Sequence, residues 1–236
     1  MTKKNKIIHQ IWSDKHNPLP AFFSVLSQTW KEKHPDWEYI NWDDKSMNDF
    51  IEKEYGKYCD LYNSFPFDVQ RWDAIRFLIL KKYGGLYLDF DYECLENIEP
   101  LIEDSDCAIA LEPEIHCLQY NVPHFLNNAF FYSIPNHFFL DKIIDKIFSI
   151  ETLQYNRTNK PMCVLNTTGP LMVSNLYEKL QEVEKKQISL IPAKYVTPFD
   201  SMQIQLVKAG VINDELEKCL DEAYAIHYFT NLWVGV

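Results

Sequence analysis

Glycine is scarce in this chain, with 6 in 236 residues. No Gly/Ser linker, internal repeat or low-complexity tract interrupts it, so nothing in the composition separates it into flexibly joined modules. The six cysteines (Cys59, Cys94, Cys107, Cys117, Cys163, Cys219) include no CxxC pair, which argues against a structural zinc site. No apolar run approaches the roughly 20 residues needed to span a bilayer. The basic start, Met1 to Lys6, is followed only by Ile7 and Ile8 before His9 and Gln10 interrupt, so no signal-peptide core is present. The expectation is a cytoplasmic chain without a transmembrane segment and with reduced thiols. Cations are also in deficit: 23 Lys and Arg stand against 34 Asp and Glu, for a net charge of −11. Such a surface repels a phosphate backbone, so nucleic acid is not the expected partner. A phosphate-bearing ligand would need a local cation to bridge it to the carboxylates.

What the chain does have is core-forming material. It is 47% hydrophobic and 24% charged, as a folded globular protein is, with 14 Tyr, 15 Phe and 6 Trp. Lys6 to Trp12 and Trp37 to Trp42 read as short buried strands, and Asp43-Asp44 can cap a helix starting near Lys45. Pro66 suits a helix start, and Gly84-Gly85 stop that helix after Lys81-Lys82. Leu86 to Glu93 then alternates as one strand would. Further strands are expected at Asp106 to Leu111, Ala129 to Tyr132, Ile188 to Ile191 and Ala223 to Tyr228. Helices are expected from Asn136 to Ser149 and from Thr168-Gly169-Pro170 to Leu180. Strands alternating with helices imply an α/β sandwich with a mostly parallel central sheet flanked by helices. In such sheets ligands sit outside the carboxyl ends of the strands, where the acidic end of the Leu86 strand would lie.

Asp89 and Asp91, two apart on a strand, would share one face, with Leu88 and Phe90 on the other. Carboxylates about 7 Å apart on one face repel unless a cation or donors lie beside them. A hard divalent cation there would neutralise charge on a phosphate leaving group. A solvated strand end has the same spacing. Context adds weight: Asp73 and Arg76, three apart on the preceding helix, share a face, and Arg71 extends the cationic flank. An ordinary surface salt bridge is the alternative for that pair.

The stretch R-x-D-A-x-R-x-x-x-L-x-x-Y-G-G-x-Y-L-D-x-D, Arg71 to Asp91, resembles the DxD sugar-binding region of glycosyltransferase family 32 and the core of the clostridial glucosylating toxins. K-I-I-H-Q-I-W (Lys6 to Trp12), P-L-P and HPDWEYINWDD (His34 to Asp44) are similar to that family's N-terminal pattern. The resemblance implies a GT-A fold, Rossmann-like, in one domain over residues 1–236. About 1–110 would form the nucleotide-sugar half and about 111–236 the donor and acceptor half.

It also implies roles. Asp91 would coordinate Mn2+ or Mg2+, Asp89 the metal or the ribose, and Asp73 with Arg76 the donor. Tyr87 would line the donor pocket, Trp12 would stack on the base, and Asn128 rather than Asn127 would reach sugar hydroxyls. His227, followed by Trp233, resembles the late metal ligand of GT-A enzymes. Each has a plainer structural counterpart: a core Trp, a half-buried strand Tyr, an ordinary His near a terminus. His9, inside its strand, reads as structural, and Pro170 as a helix opener.

The function implied is metal-dependent transfer of a hexose, with retention, from a UDP- or GDP-sugar to a hydroxyl acceptor such as a glycan. Two rivals stand beside it: a haloacid-dehalogenase-type phosphatase, and a binding protein on a decayed transferase fold.

Overall fold

The computed structural model describes residues 5–15 and 17–232. Its strands are β1 (Ile7–Ile11), β2 (Glu38–Trp42), β3 (Gly85–Leu88), β4 (Tyr92–Cys94), β5 (Cys107–Leu111), β6 (Leu126–Ser133), β7 (Ser189–Ile191) and β8 (Ala225–His227). Six form the main sheet in the order β2-β1-β3-β6-β5-β7, while β4 and β8 make a separate pair. β1 runs parallel to β2 and to β3, and β5 runs parallel to β7. β6 is antiparallel to both its neighbours, so it alone opposes the sheet direction.

Both faces of the sheet are buried, and the alternation along each strand sorts residues between them. Leu86 and Leu88 join one core with Ile8, Trp30, Phe130 and Tyr132; Tyr87 joins the other with Ile11, Ile109 and Phe131. The first face is covered by the Ala21–Lys33 helix through Trp30. The second is covered by the Asp68–Tyr83, Phe138–Ile147 and Pro170–Glu178 helices, which bring Ala74 to Leu80, Phe139, Ile143, Ile144 and Val173. A sheet with helices on both faces is the expected sandwich, with one strand reversed.

Local chemistry sets the boundaries. Asp43 accepts from the Ser46 N–H at 2.7 Å, while Ser46 Oγ accepts from the Asp43 N–H at 2.9 Å; this capping box opens the Asp44–Tyr55 helix. The long helix opens at Asp68, two residues after Pro66, rather than at the proline itself. It ends at Gly84, whose φ of 64° reverses the chain. Gly85 follows at φ 96°, and a Cβ there would lie 2.5 Å from the Ile7 carbonyl oxygen. Only glycine lets β3 leave the helix and lie directly against β1.

The stretch from Leu86 to Glu93 is not one strand. β3 stops at Leu88, Asp89 to Asp91 turn, and the chain resumes as β4, paired with β8 outside the main sheet. The Tyr92 N–H closes the turn onto the Asp89 carbonyl at 3.3 Å. Continuing the strand would have carried two carboxylates along a sheet buried on both faces, where charge is costly. Asp89 and Asp91 therefore are not same-face strand neighbours; the turn aims them at different partners. All six cysteines are free. Among the described residues no helix is long and apolar enough to cross a membrane.

Candidate active site

A cavity of about 870 Å3 opens at the carboxyl ends of β1, β3 and β5 and the amino end of β6. Trp12, Asp73, Arg76, Tyr87, Asp89, Asp91, Asn128 and His227 all line it. Topology explains the convergence: parallel neighbours end at the same edge, and the reversed strand begins there.

The long helix supplies a buried charge network. Arg76 reaches Asp73 Oδ1 at 2.9 Å and donates to the Asn128 carbonyl at 2.9 Å. Asn128 Nδ2 donates to the same Asp73 oxygen at 3.2 Å, and Thr168 Oγ1 donates to Oδ2 at 2.8 Å. The guanidinium also lies 4.5 Å over the Tyr87 ring and 3.7 Å from Asp89 Oδ1. Its Nε has no hydrogen-bond partner among the described residues. Burial pushes the Asp73 carboxyl up, against the pull of Arg76 and the two donors. Asp73 and Arg76 are thus a buried pair, not a surface salt bridge.

Register puts Asn127 and Asn128 here. Ile109 pairs with Phe131 but Ala110 pairs with Asn127, so β6 carries extra residues opposite β5 at this point. The irregularity frees the Asn128 carbonyl for Arg76, while on the β3 side the Ala129 carbonyl continues the antiparallel register by accepting from the Asp89 N–H at 3.0 Å.

Asp89 accepts from the Tyr87 hydroxyl at 2.5 Å; burial raises its pKa against Arg76's charge. Asp91 faces the other way. Its Oδ2 accepts from Thr230 N–H at 2.8 Å and Thr230 Oγ1 at 2.9 Å, and its Oδ1 lies 3.2 Å from His227 Nε2. Burial opposes charge on both groups, but each stabilises the other: Asp91 is held below the usual carboxylate range and His227 above the usual imidazole range. The His227 ring stacks on Tyr92 at 4.3 Å, and Nδ1 sits 3.2 Å from Asn127 Nδ2. Asn127 Oδ1 accepts the Ala129 N–H, so the amide turns its NH2 toward that ring nitrogen. The ring proton therefore lies on Nε2, facing Asp91.

Other sequence candidates divide. Trp12 borders the cavity half-buried, edge-on to Phe23 at 5.5 Å and Phe90 at 6.1 Å. His9 lies outside it: Trp42 Nε1 donates to Nδ1 and Nε2 donates to the Gly84 carbonyl, a structural role. Arg71 pairs with Asp68 and does not line the cavity, so it adds no cation there. Trp233 lies outside the described residues. Thr168, read only as part of a helix-opening turn, holds Asp73; Asn127, ranked below Asn128, also lines the cavity beside His227; Thr230, Glu112 and His116 were not singled out for the site. Thr168, Thr230 and Asn127 find their partners in distant segments, while Glu112 and His116 pair four residues apart and only the fold brings that pair to the cavity.

Residues 20–108 match the family described as the glycosyltransferase sugar-binding region containing a DXD motif. The chain is 28% identical over 196 residues to inositol phosphoceramide mannosyltransferase 1 of Schizosaccharomyces pombe, a match covering 82% of this chain and 57% of that protein. It is 32% identical over 174 residues to mannosyl phosphorylinositol ceramide synthase CSH1 of Saccharomyces cerevisiae, covering 74% and 42%. The chain spans about half the length of these curated relatives. Among solved structures, the PaToxG glycosyltransferase superposes with a TM-score of 0.52 at 16% identity, covering 94% of this chain and 89% of that one. Galactosyltransferase LgtC, solved with donor and acceptor sugar analogs, gives 0.50 at 12% identity, covering 95% and 87%. Residues 20–108 thus resemble the sugar-binding region of the DXD-containing glycosyltransferases, the curated relatives are mannosyltransferases matched over about half their length, and the chain has the GT-A fold.

Proposed function

We propose that this chain transfers a hexose from a nucleotide diphosphate sugar to a hydroxyl acceptor, with retention and with Mn2+ or Mg2+ bound. The observation carrying this reading is the meeting of Asp91 and His227, 3.2 Å apart, in the cavity that also holds Asp73, Arg76 and Asn128. Two relatives are named for mannosyl transfer to inositol phosphoceramide, which favours mannose as the sugar and a polyol or glycan hydroxyl as the acceptor. The base is UDP or GDP. Residues 1–236 act in this reading as one domain.

The donor set fits a divalent cation. Thr230 fixes one Asp91 oxygen and leaves Oδ1 open except to His227, and the Asp89 side chain is 35% exposed nearby. Among the described residues no group of three or more His, Cys, Asp or Glu side chains is placed to hold a metal ion. Two adjacent donors leave positions for diphosphate oxygens and water, as a substrate-binding cation requires. Asp91 and His227 would hold it, with Asp89 beside them, and ligation at Nε2 would take the place of the ring proton. When bound, the cation supplies charge neutralisation for the departing diphosphate.

The chain's own residues do the positioning. Arg76, kept charged and aimed by Asp73, offers its cation to the donor side of Asp89. Asp73 and Asn128 present an acceptor and an amide to sugar hydroxyls. Tyr87 fixes the Asp89 carboxylate through its hydroxyl, and Trp12 offers a ring to the base. The family match leaves the phosphatase alternative without support.

The test is a thermal-shift panel of UDP- and GDP-sugars, each with and without Mn2+, repeated on Asp91→Asn. A ligand at 100 times its dissociation constant stabilises by about 2.7 kcal/mol. One sugar nucleotide should shift the transition only with metal, and Asp91→Asn should lose the shift. A folded wild-type chain indifferent to every donor would instead favour a decayed scaffold.

A further inference from the structure

Across the cavity from Trp12 stands a second buried polar group. Glu112 follows β5 directly, and its Oε2 lies 2.7 Å from His116 Nδ1. The two side chains are 7% and 8% exposed, and both line the cavity. The Ser201 N–H donates to His116 Nε2 at 3.3 Å, so the ring proton sits on Nδ1 and points at Glu112. That leaves Glu112 Oε1 without a hydrogen-bond partner among the described residues, in a cavity wall. Facing the open cavity, that oxygen is free to accept from a ligand hydroxyl while the other is held by His116.

Position says which ligand. In the sheet order, β6 and β3 separate β5 from β1, so Glu112 and the Trp12 side lie on opposite sides of the Asp89–Asp91 turn. Phe229 links the two halves: its ring packs 4.1 Å from His227 and 5.4 Å from His116. A donor held between Trp12 and Asp91 would therefore leave Glu112 facing the other substrate. A carboxylate repels a phosphate and accepts from a hydroxyl. Beside it, Tyr120 and Phe125, stacked 5.0 Å apart, also line the cavity and add apolar ring surface of the kind saccharides pack on.

We infer that Glu112, clamped by His116, binds the acceptor's hydroxyl, and that the acceptor is a neutral saccharide or polyol at this subsite. His116 is a positioning residue. The inference rests on the transferase reading above.

The experiment uses the full chain with Glu112→Gln, Glu112→Ala and His116→Gln. Donor binding with Mn2+ is measured by calorimetry. Acceptor binding is measured by saturation-transfer NMR with methyl α-mannopyranoside and myo-inositol, in the presence of Mn2+ and the nucleoside diphosphate. Glu112→Gln keeps the side-chain shape and should leave donor affinity unchanged. It should weaken glycoside or polyol binding by about tenfold, the loss of one charge-assisted hydrogen bond. His116→Gln should raise the acceptor KM with kcat preserved. Wild-type acceptor affinity in both Glu112 variants, or no affinity of the donor-competent wild type for either probe, overturns the inference while leaving the transferase standing. Failure of the wild type to bind any sugar nucleotide overturns both.

Discussion

His227 Nε2 stands 3.2 Å from Asp91 Oδ1, while the opposite oxygen of that carboxylate is fixed twice by Thr230. One side of Asp91 is structural and the other is available. The β4–β8 pair creates this arrangement, since Tyr92 lies in register with His227.

Thr230→Val removes the hydroxyl donor but keeps the backbone N–H. Losing one hydrogen bond to a charged group costs about 1.5–3 kcal/mol. The ligand-free melting temperature should fall by several degrees, and donor affinity in the presence of Mn2+ should fall by about tenfold or more. An unaltered metal-dependent donor affinity in calorimetry would show that Thr230 does not set Asp91.

Asp73→Asn strands Arg76, because both side chains are almost fully buried, at 5% and 6% exposed. Removing one partner of a buried ion pair costs about 3–5 kcal/mol. Urea unfolding should register a loss of that order, and transfer should be abolished. Arg76→Lys should not rescue function, since an ammonium cannot hold Asp73, the Asn128 carbonyl and the Tyr87 face at once.

His9 gives a pH dependence outside the site. Burial lowers its pKa from 6.5 to about 4, against the pull of the Gly84 carbonyl. Above pH 6.5 the ring is neutral in folded and unfolded chains alike. Between 6.5 and about 4 the unfolded chain takes up a proton that the folded chain refuses, so stability falls as pH falls. Below about 4 this group adds no further loss. His9→Gln should lower stability at neutral pH and flatten the pH slope within that window, read from denaturant midpoints at several pH values.

Gly85→Ala should destabilise far more than Gly210→Ala. Both sit at positive φ, 96° and 75°, and a non-glycine residue there costs about 1–3 kcal/mol. At Gly210 a Cβ meets nothing within 4 Å, whereas at Gly85 it meets the Ile7 carbonyl at 2.5 Å. Equal melting temperatures for the two variants would contradict the close approach of β3 to β1.

The sequence by itself determined most of the strands and the long helix with its glycine stop, because those features are local; spacing alone left Asp73, Arg76, Asp89 and Asp91 open between a site and a solvated surface, and only the resemblance of the Arg71–Asp91 stretch pointed them to a site. Alternation over two residues and helical spacing over three or four are written into the chain. It misjudged the Asp89–Asp91 geometry, because whether a strand continues or turns depends on the cost of burying carboxylates in a sheet it cannot see. It counted Arg71 among the site's cations, because helical proximity does not say that Asp68 takes it. Tertiary structure alone decided that Thr168 holds Asp73, that Thr230 holds Asp91, and that Glu112 with His116 faces the same cavity. The Thr168 and Thr230 contacts join segments far apart in sequence, and the local Glu112–His116 pair reaches the cavity only through the sheet order, which no linear spacing encodes.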